Sequence, residues 1–181
     1  MSLDLDCADG RFAGSDTTAT TIRTAALFLM TNPYVLGKLQ SELDHAERAG
    51  KLSSPILTHQ EALKLPYLQA CVKESLRIWP PVIGLMQKVV PPDGDFLNGM
   101  FVPGGTQIGY SGWGVHRNPA VFGADGDLYR PERWLEAESE VLLEMNRTVD
   151  LVFGAGRYAC LGKQVALIEV AKAIAEVCFP A

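Results

Sequence analysis

The stretch of sequence that decides the fold is Phe153-Gly154-Ala155-Gly156-Arg157-Tyr158-Ala159-Cys160-Leu161-Gly162-Lys163. Two glycines precede a single cysteine, Cys160, and a helical pattern follows from about Leu161 to Val177. Because glycine adopts backbone conformations that other residues avoid, this loop can approach a neighbouring group closely. Unpaired N–H groups at a helix N-terminus favour negative charge, so the pattern predicts that Cys160 is available as a thiolate. The alternative is a buried, inert cysteine after a glycine-rich turn.

The whole string resembles the haem-binding loop of the cytochrome P-450 superfamily, Phe-x-x-Gly-x-Arg-x-Cys-x-Gly. The matching positions hold Phe153, Gly156, Cys160 and Gly162. One position departs from the family pattern, because Tyr158 replaces the Arg that contacts a haem propionate and Arg157 stands one place earlier. The resemblance implies that Cys160 is the axial ligand of the haem iron. It also implies that the loop binds the cofactor through Phe153, Gly154, Gly156, Arg157 and Tyr158.

A second motif lies near the beginning of the chain, where Ala13-Gly14-Ser15-Asp16-Thr17-Thr18 begins a helical stretch that ends at Asn32-Pro33. Read alone, it is a threonine-rich, solvated helix end. Together with the cysteine motif it resembles the family's distal helix, Ala/Gly-Gly-x-Asp/Glu-Thr. That resemblance implies that Gly14 borders the oxygen-binding groove and that Asp16 and Thr17 relay protons as catalytic residues.

A third motif lies on a helix that the sequence predicts from Pro66 to Trp79. Its apolar positions share one face, so the periodicity places Glu74 and Arg77 on the opposite, solvent-facing side as an exposed ion pair. Glu-x-x-Arg, however, resembles a hallmark of the same superfamily, in which the pair is buried and joined by an Arg from a later Pro-Glu-Arg-Phe-like segment. Pro131-Glu132-Arg133-Trp134 matches that segment. The resemblance therefore contradicts the periodicity and implies a buried structural triad of Glu74, Arg77 and Arg133.

The remaining patterns predict a mainly α fold with a small β-sheet. Asn32 and Pro33 begin a second helix, which Gly50 ends. Thr58 and Glu61 have the spacing of a capping box. Strand-like segments run from residue 82 to residue 111, with a hairpin turn at Asn98-Gly99. The acidic stretch 136–145 is helix-prone, within a long connection from residue 125 to residue 152.

Two further residues are interpreted from this region. The resemblance implies that Lys88, which follows the predicted strand at residues 82–86, reaches a haem propionate. His116 is more simply interpreted as a turn residue, since Asn118-Pro119 follows it.

Composition excludes several function classes. The 181 residues are 48% hydrophobic and 20% charged, as in ordinary globular proteins. The net charge of −5 gives no support for nucleic-acid binding. The four cysteines form no C-x-x-C pair, so neither a disulfide framework nor a zinc site is predicted. Acidic residues follow Met1, which does not fit a signal peptide, and the longest apolar tract is far shorter than the roughly 20 residues of a membrane span.

Taken together, the motifs imply the C-terminal part of the cytochrome P-450 fold. Residues 1–181 are expected to form a single incomplete domain without the family's N-terminal anchor and roof helices. The family's activity is that of a haem-thiolate monooxygenase, which uses haem b and activates dioxygen to hydroxylate a small apolar substrate, as in secondary or xenobiotic metabolism. An NADPH-dependent flavoprotein reductase is the expected partner, docking near Arg157 and Lys163. Full-length relatives of the microsomal type lie on the endoplasmic reticulum membrane, whereas this chain shows no anchor or signal.

Two alternatives stay open. The first is a haem-thiolate isomerase or dehydratase, which rearranges a peroxide without a reductase. Relatives of that kind often alter the distal-helix motif, which is intact here. The second is a non-catalytic remnant, and on this view the isolated chain is inactive.

Overall fold

The computed structural model describes residues 3–179, which are mainly helical. Within that range the helices are α1 (Leu3–Thr31), α2 (Pro33–Arg48), α3 (His59–Ala62), α4 (Pro66–Ile78), α5 (Gly112–Val115), α6 (Pro119–Phe122), α7 (Arg133–Glu136), α8 (Ser139–Asp150) and α9 (Lys163–Cys178). The strands are β1 (Leu85–Val89), β2 (Asp95–Leu97), β3 (Met100–Val102) and β4 (Gln107–Ser111). The predicted fold class, mainly α with a small β component, is confirmed.

The core lies where the long helices α1, α4 and α9 pack on one another, with α2 alongside. Its fully buried side chains include Ala25, Leu39, Leu43, Leu68 and Ala175. Burial of such apolar surface is the main favourable term in folding. Residues of α1 and α9 lie beside Phe153, where the cysteine loop begins.

Helix α1 begins earlier than the sequence predicted. It starts at Leu3 rather than near Ala13 and passes through Gly14 without interruption. The threonine hydroxyls do not end the helix, because they bond back within it: Thr17 Oγ1 donates to the Ala13 carbonyl at 2.7 Å and Thr21 Oγ1 to the Thr17 carbonyl at 3.1 Å.

The side chain of Asn32 caps the end of α1, not the start of α2. The Asn32 Nδ2 donates to the Phe28 carbonyl at 2.7 Å and so satisfies the end of α1, and its side chain makes no capping bond to α2. Pro33 nevertheless begins α2 as predicted, because its missing N–H is not needed there. Gly50, with φ of +64°, follows the end of that helix.

Helix α4 has the predicted bounds and a cap from a distant helix. Pro66 is its first residue, and the Glu42 carboxylate of α2 accepts hydrogen bonds from the backbone N–H groups of Tyr67 and Leu68 at 2.8 and 2.9 Å. The helix ends at Ile78, before Trp79-Pro80. Trp79, predicted on the buried face, is 44% exposed.

The β region forms two separate two-stranded sheets rather than one small sheet. Strand β1 pairs with β4 and strand β2 with β3, both antiparallel. The β2–β3 turn has positive φ at Asn98 (+50°) and Gly99 (+79°), which confirms the predicted hairpin. Residues 82–84, predicted as strand, lie outside β1.

The acidic stretch of the long connection is helical, as predicted, whereas the last helix begins later than predicted. The acidic stretch lies in α7 and α8, so residues 133–150 are largely helical. Helix α9 begins at Lys163, two residues later than predicted, which leaves Cys160 outside the helix. The first turns of α9 are partly or fully exposed, with Val165 58% exposed, and its first buried residue is Val170. Within residues 3–179, no helix has both the length and the apolar character needed to cross a membrane.

Candidate functional site

The cysteine loop, residues 153–162, is a folded turn rather than an open connection. A short 3₁₀ turn, Leu151–Phe153, leads into it, and a second, Gly156–Tyr158, lies at its centre. The Cys160 N–H donates to the Phe153 carbonyl at 2.7 Å and closes the loop across its base. The Cys160 side chain is a free, exposed thiol. The loop therefore presents one sulfur to its surroundings.

Gly154 is required where the loop leaves the 3₁₀ turn. Its φ is +72°, in the left-handed region that residues with a side chain rarely adopt. A Cβ at this position would lie 3.1 Å from the carbonyl oxygen of Tyr158 and 3.6 Å from the Met86 Cε. The glycine thus allows both the turn and the close packing of the loop against strand β1.

A cleft lies beside the loop, between α1, α4 and α9. Its lining is almost entirely apolar, with three threonines of α1 on one side, and comprises Thr17, Thr18, Thr21, Leu76, Pro81, Phe153, Ala166, Leu167 and Val170. The structure therefore brings Thr17 and Phe153, which come from two different motifs, to one cleft. Gly14 and Asp16 are exposed on α1 and are not among the lining residues.

Basic side chains lie at the rim of the loop. The Lys88 Nζ of β1 donates to the Ala155 carbonyl at 3.0 Å. Arg157 and Tyr158 are both exposed, with the guanidinium carbon 6.0 Å from the centre of the tyrosine ring. Lys163 is paired with Asp150 at 2.8 Å. A cation from β1, Lys88, and a cation of the loop itself, Arg157, thus both lie at the loop.

Glu74 and Arg77 are fully buried, so the periodicity was wrong about the face of α4 on which they lie. The Arg77 guanidinium donates twice to the Glu74 carboxylate, at 2.8 and 2.9 Å, and three more times to the carbonyls of His116, Gly126 and Leu128. The Arg133 Nε donates to the Glu74 Oε1 at 3.0 Å. The loops around residues 116–133 cover this face of α4. The face that the periodicity assigned to solvent therefore lies in the interior.

The Glu74 carboxylate is also bonded by the Trp134 indole at 2.9 Å and by the Arg130 backbone N–H at 2.9 Å. Every N–H of the Arg77 guanidinium has an acceptor. A buried charge pair is tolerated only with such complete hydrogen bonding. The cluster ties α4 to the segment that leads into α8 and the cysteine loop.

His116, which the sequence suggested was a simple turn residue, is buried in the interior. It follows α5 and is 0% exposed. Its Nδ1 lies 2.6 Å from the Gly112 carbonyl oxygen, and its own carbonyl accepts from Arg77. Burial lowers the pKa of its imidazole, so the ring is neutral at pH 7. The sequence signal that was available, a histidine just before the Arg117-Asn118-Pro119 turn, gave no indication of this burial.

The donor set fits a haem better than a bare metal ion. Among the side chains that the structure describes, those of residues 13–179, no three His, Cys, Asp or Glu residues come together as a metal site would require. An exposed thiol, apolar side chains beside it and the nearby cations Lys88 and Arg157 are the kinds of group that would hold a porphyrin: a ligand for the iron, packing surface and partners for the carboxylates. The residues present are therefore compatible with haem.

Comparison with known proteins adds an independent finding. The family model described as Cytochrome P450 matches residues 4–177. The chain is 46% identical over 160 residues to Cytochrome P450 monooxygenase ABA1 of Pyricularia oryzae, covering 88% of this chain and 31% of that protein. It is 45% identical over 165 residues to Cytochrome P450 monooxygenase aba1 of Botryotinia fuckeliana, covering 91% and 32%.

A relative with a different name is similar to the same extent. Pisatin demethylase of Fusarium vanettenii is 41% identical over 165 residues, which is 91% of this chain and 30% of that protein. The chain thus spans about a third of the length of the curated relatives it matches.

Proposed function

Because the chain belongs to the cytochrome P450 family, we propose that it forms the thiolate-bearing, haem-binding part of a monooxygenase that oxidises a small apolar substrate. The observation that carries this proposal is the exposed Cys160 thiol on a closed glycine loop, next to a small apolar cleft that the loop shares with the α1 threonines. Such a sulfur would be accessible as a ligand for a haem iron.

The residues of the chain have separate tasks in this proposal. The Cys160 thiolate would hold the iron, and iron protoporphyrin IX bound there would supply the activation of dioxygen. Lys88 and Arg157 are the cations that would bind the porphyrin carboxylates, which would compensate for the uncharged Tyr158. Phe153 and Leu167, which line the apolar cleft, would help to exclude water beside the cofactor.

Thr17 is proposed to hold a proton at its Oγ1 within the cleft. In the structure this hydroxyl donates to the Ala13 carbonyl at 2.7 Å, so its lone pairs are free to accept a hydrogen bond from the cleft side. Asp16, one residue earlier and exposed, is placed to exchange protons with solvent. Together they would pass protons from water to the interior.

The substrate is proposed to be small and apolar. Pro81 lines the cleft, and the residues that follow it expose apolar side chains, with Val82 43%, Ile83 51% and Leu85 59% exposed. One relative carries the name of a demethylase acting on pisatin. An NADPH-dependent flavoprotein reductase is the proposed electron donor, meeting the loop near Arg157.

Labelled dioxygen tests this function. The haem-loaded protein would be supplied with NADPH, a flavoprotein reductase, ¹⁸O₂ and a panel of apolar compounds that includes pisatin. The expected result is NADPH-dependent product, with one ¹⁸O atom in the hydroxylated compound or, for a demethylation, in the formaldehyde released. Thr17→Ala is expected to divert several-fold more of the NADPH consumed away from product, because the proton held at its Oγ1 is lost.

The matched control is Thr31→Ala. Thr31 makes the same kind of hydroxyl bond to a carbonyl four residues earlier, at 2.8 Å, but at the far end of α1. It should leave the yield of product per NADPH unchanged. Rearrangement of an organic peroxide to an isomer without NADPH, with no ¹⁸O-labelled product when NADPH, reductase and ¹⁸O₂ are supplied, would contradict the monooxygenase and favour an isomerase.

A further inference from the structure

The β1–β4 sheet is attached to the start of the cysteine loop at two neighbouring points. The Tyr110 hydroxyl of β4 donates to the Leu151 carbonyl at 2.7 Å. Met86, which lies directly opposite Tyr110 in the strand register, packs by its Cε against Gly154. One cross-strand pair therefore contacts both ends of the turn from which the loop departs.

The Leu151 carbonyl is a shared acceptor. It also accepts the Gly154 N–H at 2.9 Å, the bond that forms the turn before the loop. The adjacent Phe153 carbonyl accepts the Cys160 N–H at 2.7 Å. Tyr110 is thus connected to Cys160 through the Leu151 carbonyl, the 3₁₀ turn that follows it and the backbone hydrogen bond from Cys160 to Phe153.

The Tyr110 phenol is suited to act as a permanent donor. Its side chain is partly buried, and burial raises the pKa of the phenol above its usual value. The hydroxyl therefore stays protonated at neutral pH. A phenol on a strand is also rigid, since it has only two rotatable side-chain bonds.

We propose that Tyr110 is a positioning residue for Cys160: its hydrogen bond to the Leu151 carbonyl fixes the turn that aims the thiolate. The inference rests on the proposed role of Cys160 as the haem ligand. Tyr110 is not among the residues that line the cleft, and its hydroxyl is bonded to the Leu151 carbonyl. Its effect is on where the loop holds the sulfur.

Tyr110→Phe tests this with the loss of a single oxygen atom. The first readout is amide hydrogen exchange in the haem-free protein, where the N–H groups of Gly154 and Cys160 are expected to exchange about three- to tenfold faster, the effect of one lost hydrogen bond. The second readout is the haem-loaded protein, in which the carbon-monoxide spectrum is expected to show a larger share of the band without thiolate ligation.

The matched control is Tyr67→Phe. Tyr67 also donates a phenolic hydrogen bond at 2.8 Å, to the Glu132 Oε1, and its side chain is 7% exposed, so its loss tests general destabilisation. It should leave exchange at Gly154 and Cys160 unchanged. Equal effects of the two substitutions, or no effect of Tyr110→Phe on exchange, would overturn the proposal.

The two readouts separate this inference from the proposed function. If the unsubstituted protein binds no haem through thiolate, the proposed function fails, while the exchange measurement still decides whether Tyr110 fixes the loop. If the unsubstituted protein shows the thiolate band and Tyr110→Phe changes neither readout, the positioning role alone is overturned.

Discussion

At the scale of single residues, the Glu74 carboxylate is the point on which most charges converge. It accepts hydrogen bonds from Arg77, Arg133, Trp134 and the backbone of Arg130, all in the interior. Opposite charges in such a place are stable only as a complete set, because each partner left alone would be a buried, unpaired charge. We therefore propose that the cluster has a structural role.

Removing Arg77 tests this interpretation. Arg77→Ala should lower the free energy of unfolding by about 3–5 kcal/mol, because it leaves the Glu74 carboxylate and three carbonyls without their donor. Urea unfolding of the haem-free protein measures the loss, and insoluble or haem-free protein is the expected result if stability falls below the threshold.

The control for that substitution is Arg147→Ala. Arg147 belongs to an exposed pair with Glu144 at 4.0 Å, three residues apart on α8, and both side chains are more than half exposed. Its removal should change stability by less than about 1 kcal/mol. A soluble, haem-loaded Arg77→Ala protein as stable as the Arg147→Ala protein would refute the structural role of the cluster.

At the scale of elements, helix α3 shows how four residues are held in a helix too short to persist alone. The Thr58 hydroxyl accepts the Glu61 N–H at 3.3 Å, and the Glu61 carboxylate accepts the Thr58 N–H at 2.7 Å. The predicted capping box is confirmed. The Ser53 hydroxyl adds a further bond to the same carboxylate at 2.6 Å.

These bonds give α3 a dependence on pH. The hydrogen bond from the Ser53 hydroxyl, followed by that from the Thr58 N–H, lowers the pKa of Glu61 from 4.5 to about 2. Because the folded-state pKa lies below the unfolded value, the stability from this carboxylate is fully present above about pH 4.5 and is lost as the pH falls toward about 2. Glu61→Gln should therefore be less stable than the unsubstituted protein at pH 6, with the difference shrinking between pH 4.5 and pH 2.

Urea unfolding at a series of pH values measures that difference. Glu47→Gln, a change of charge on the exposed side of α2, serves as the control for a general loss of negative charge. A difference between Glu61→Gln and the unsubstituted protein that stays constant from pH 6 to pH 3 would contradict the account of α3.

At the scale of the whole molecule, the features that the sequence predicted well are local ones. Asn98-Gly99 forms its turn and Thr58 with Glu61 forms its box because each depends on residues a few positions apart. Helical periodicity failed at Glu74 and Arg77 because the covering segment comes from some 50 residues further along the chain. Only the resemblance to a known family carried that long-range information.

The candidate site divides in the same way. The glycines of the cysteine loop are visible in the sequence and predicted the loop. The start of α9 at Lys163 was not predicted, because Gly162 and the residues hydrogen-bonded within the loop lie outside the helix. The bond from Tyr110 to Leu151 joins residues 41 positions apart, and no spacing in the sequence marks it. Tertiary packing determines both the start of α9 and the bond from Tyr110 to Leu151, and local sequence patterns do not encode it.

The central claim is that Cys160 delivers a thiolate to haem iron, and the ferrous carbon-monoxide difference spectrum of the haem-reconstituted 181-residue chain tests it most directly. The account predicts a strongly red-shifted Soret band that is lost in Cys160→Ala and retained in Cys71→Ala, whose thiol is fully buried in α4. A band typical of a neutral ligand in the unsubstituted chain, or a red-shifted band that survives Cys160→Ala, would contradict the claim.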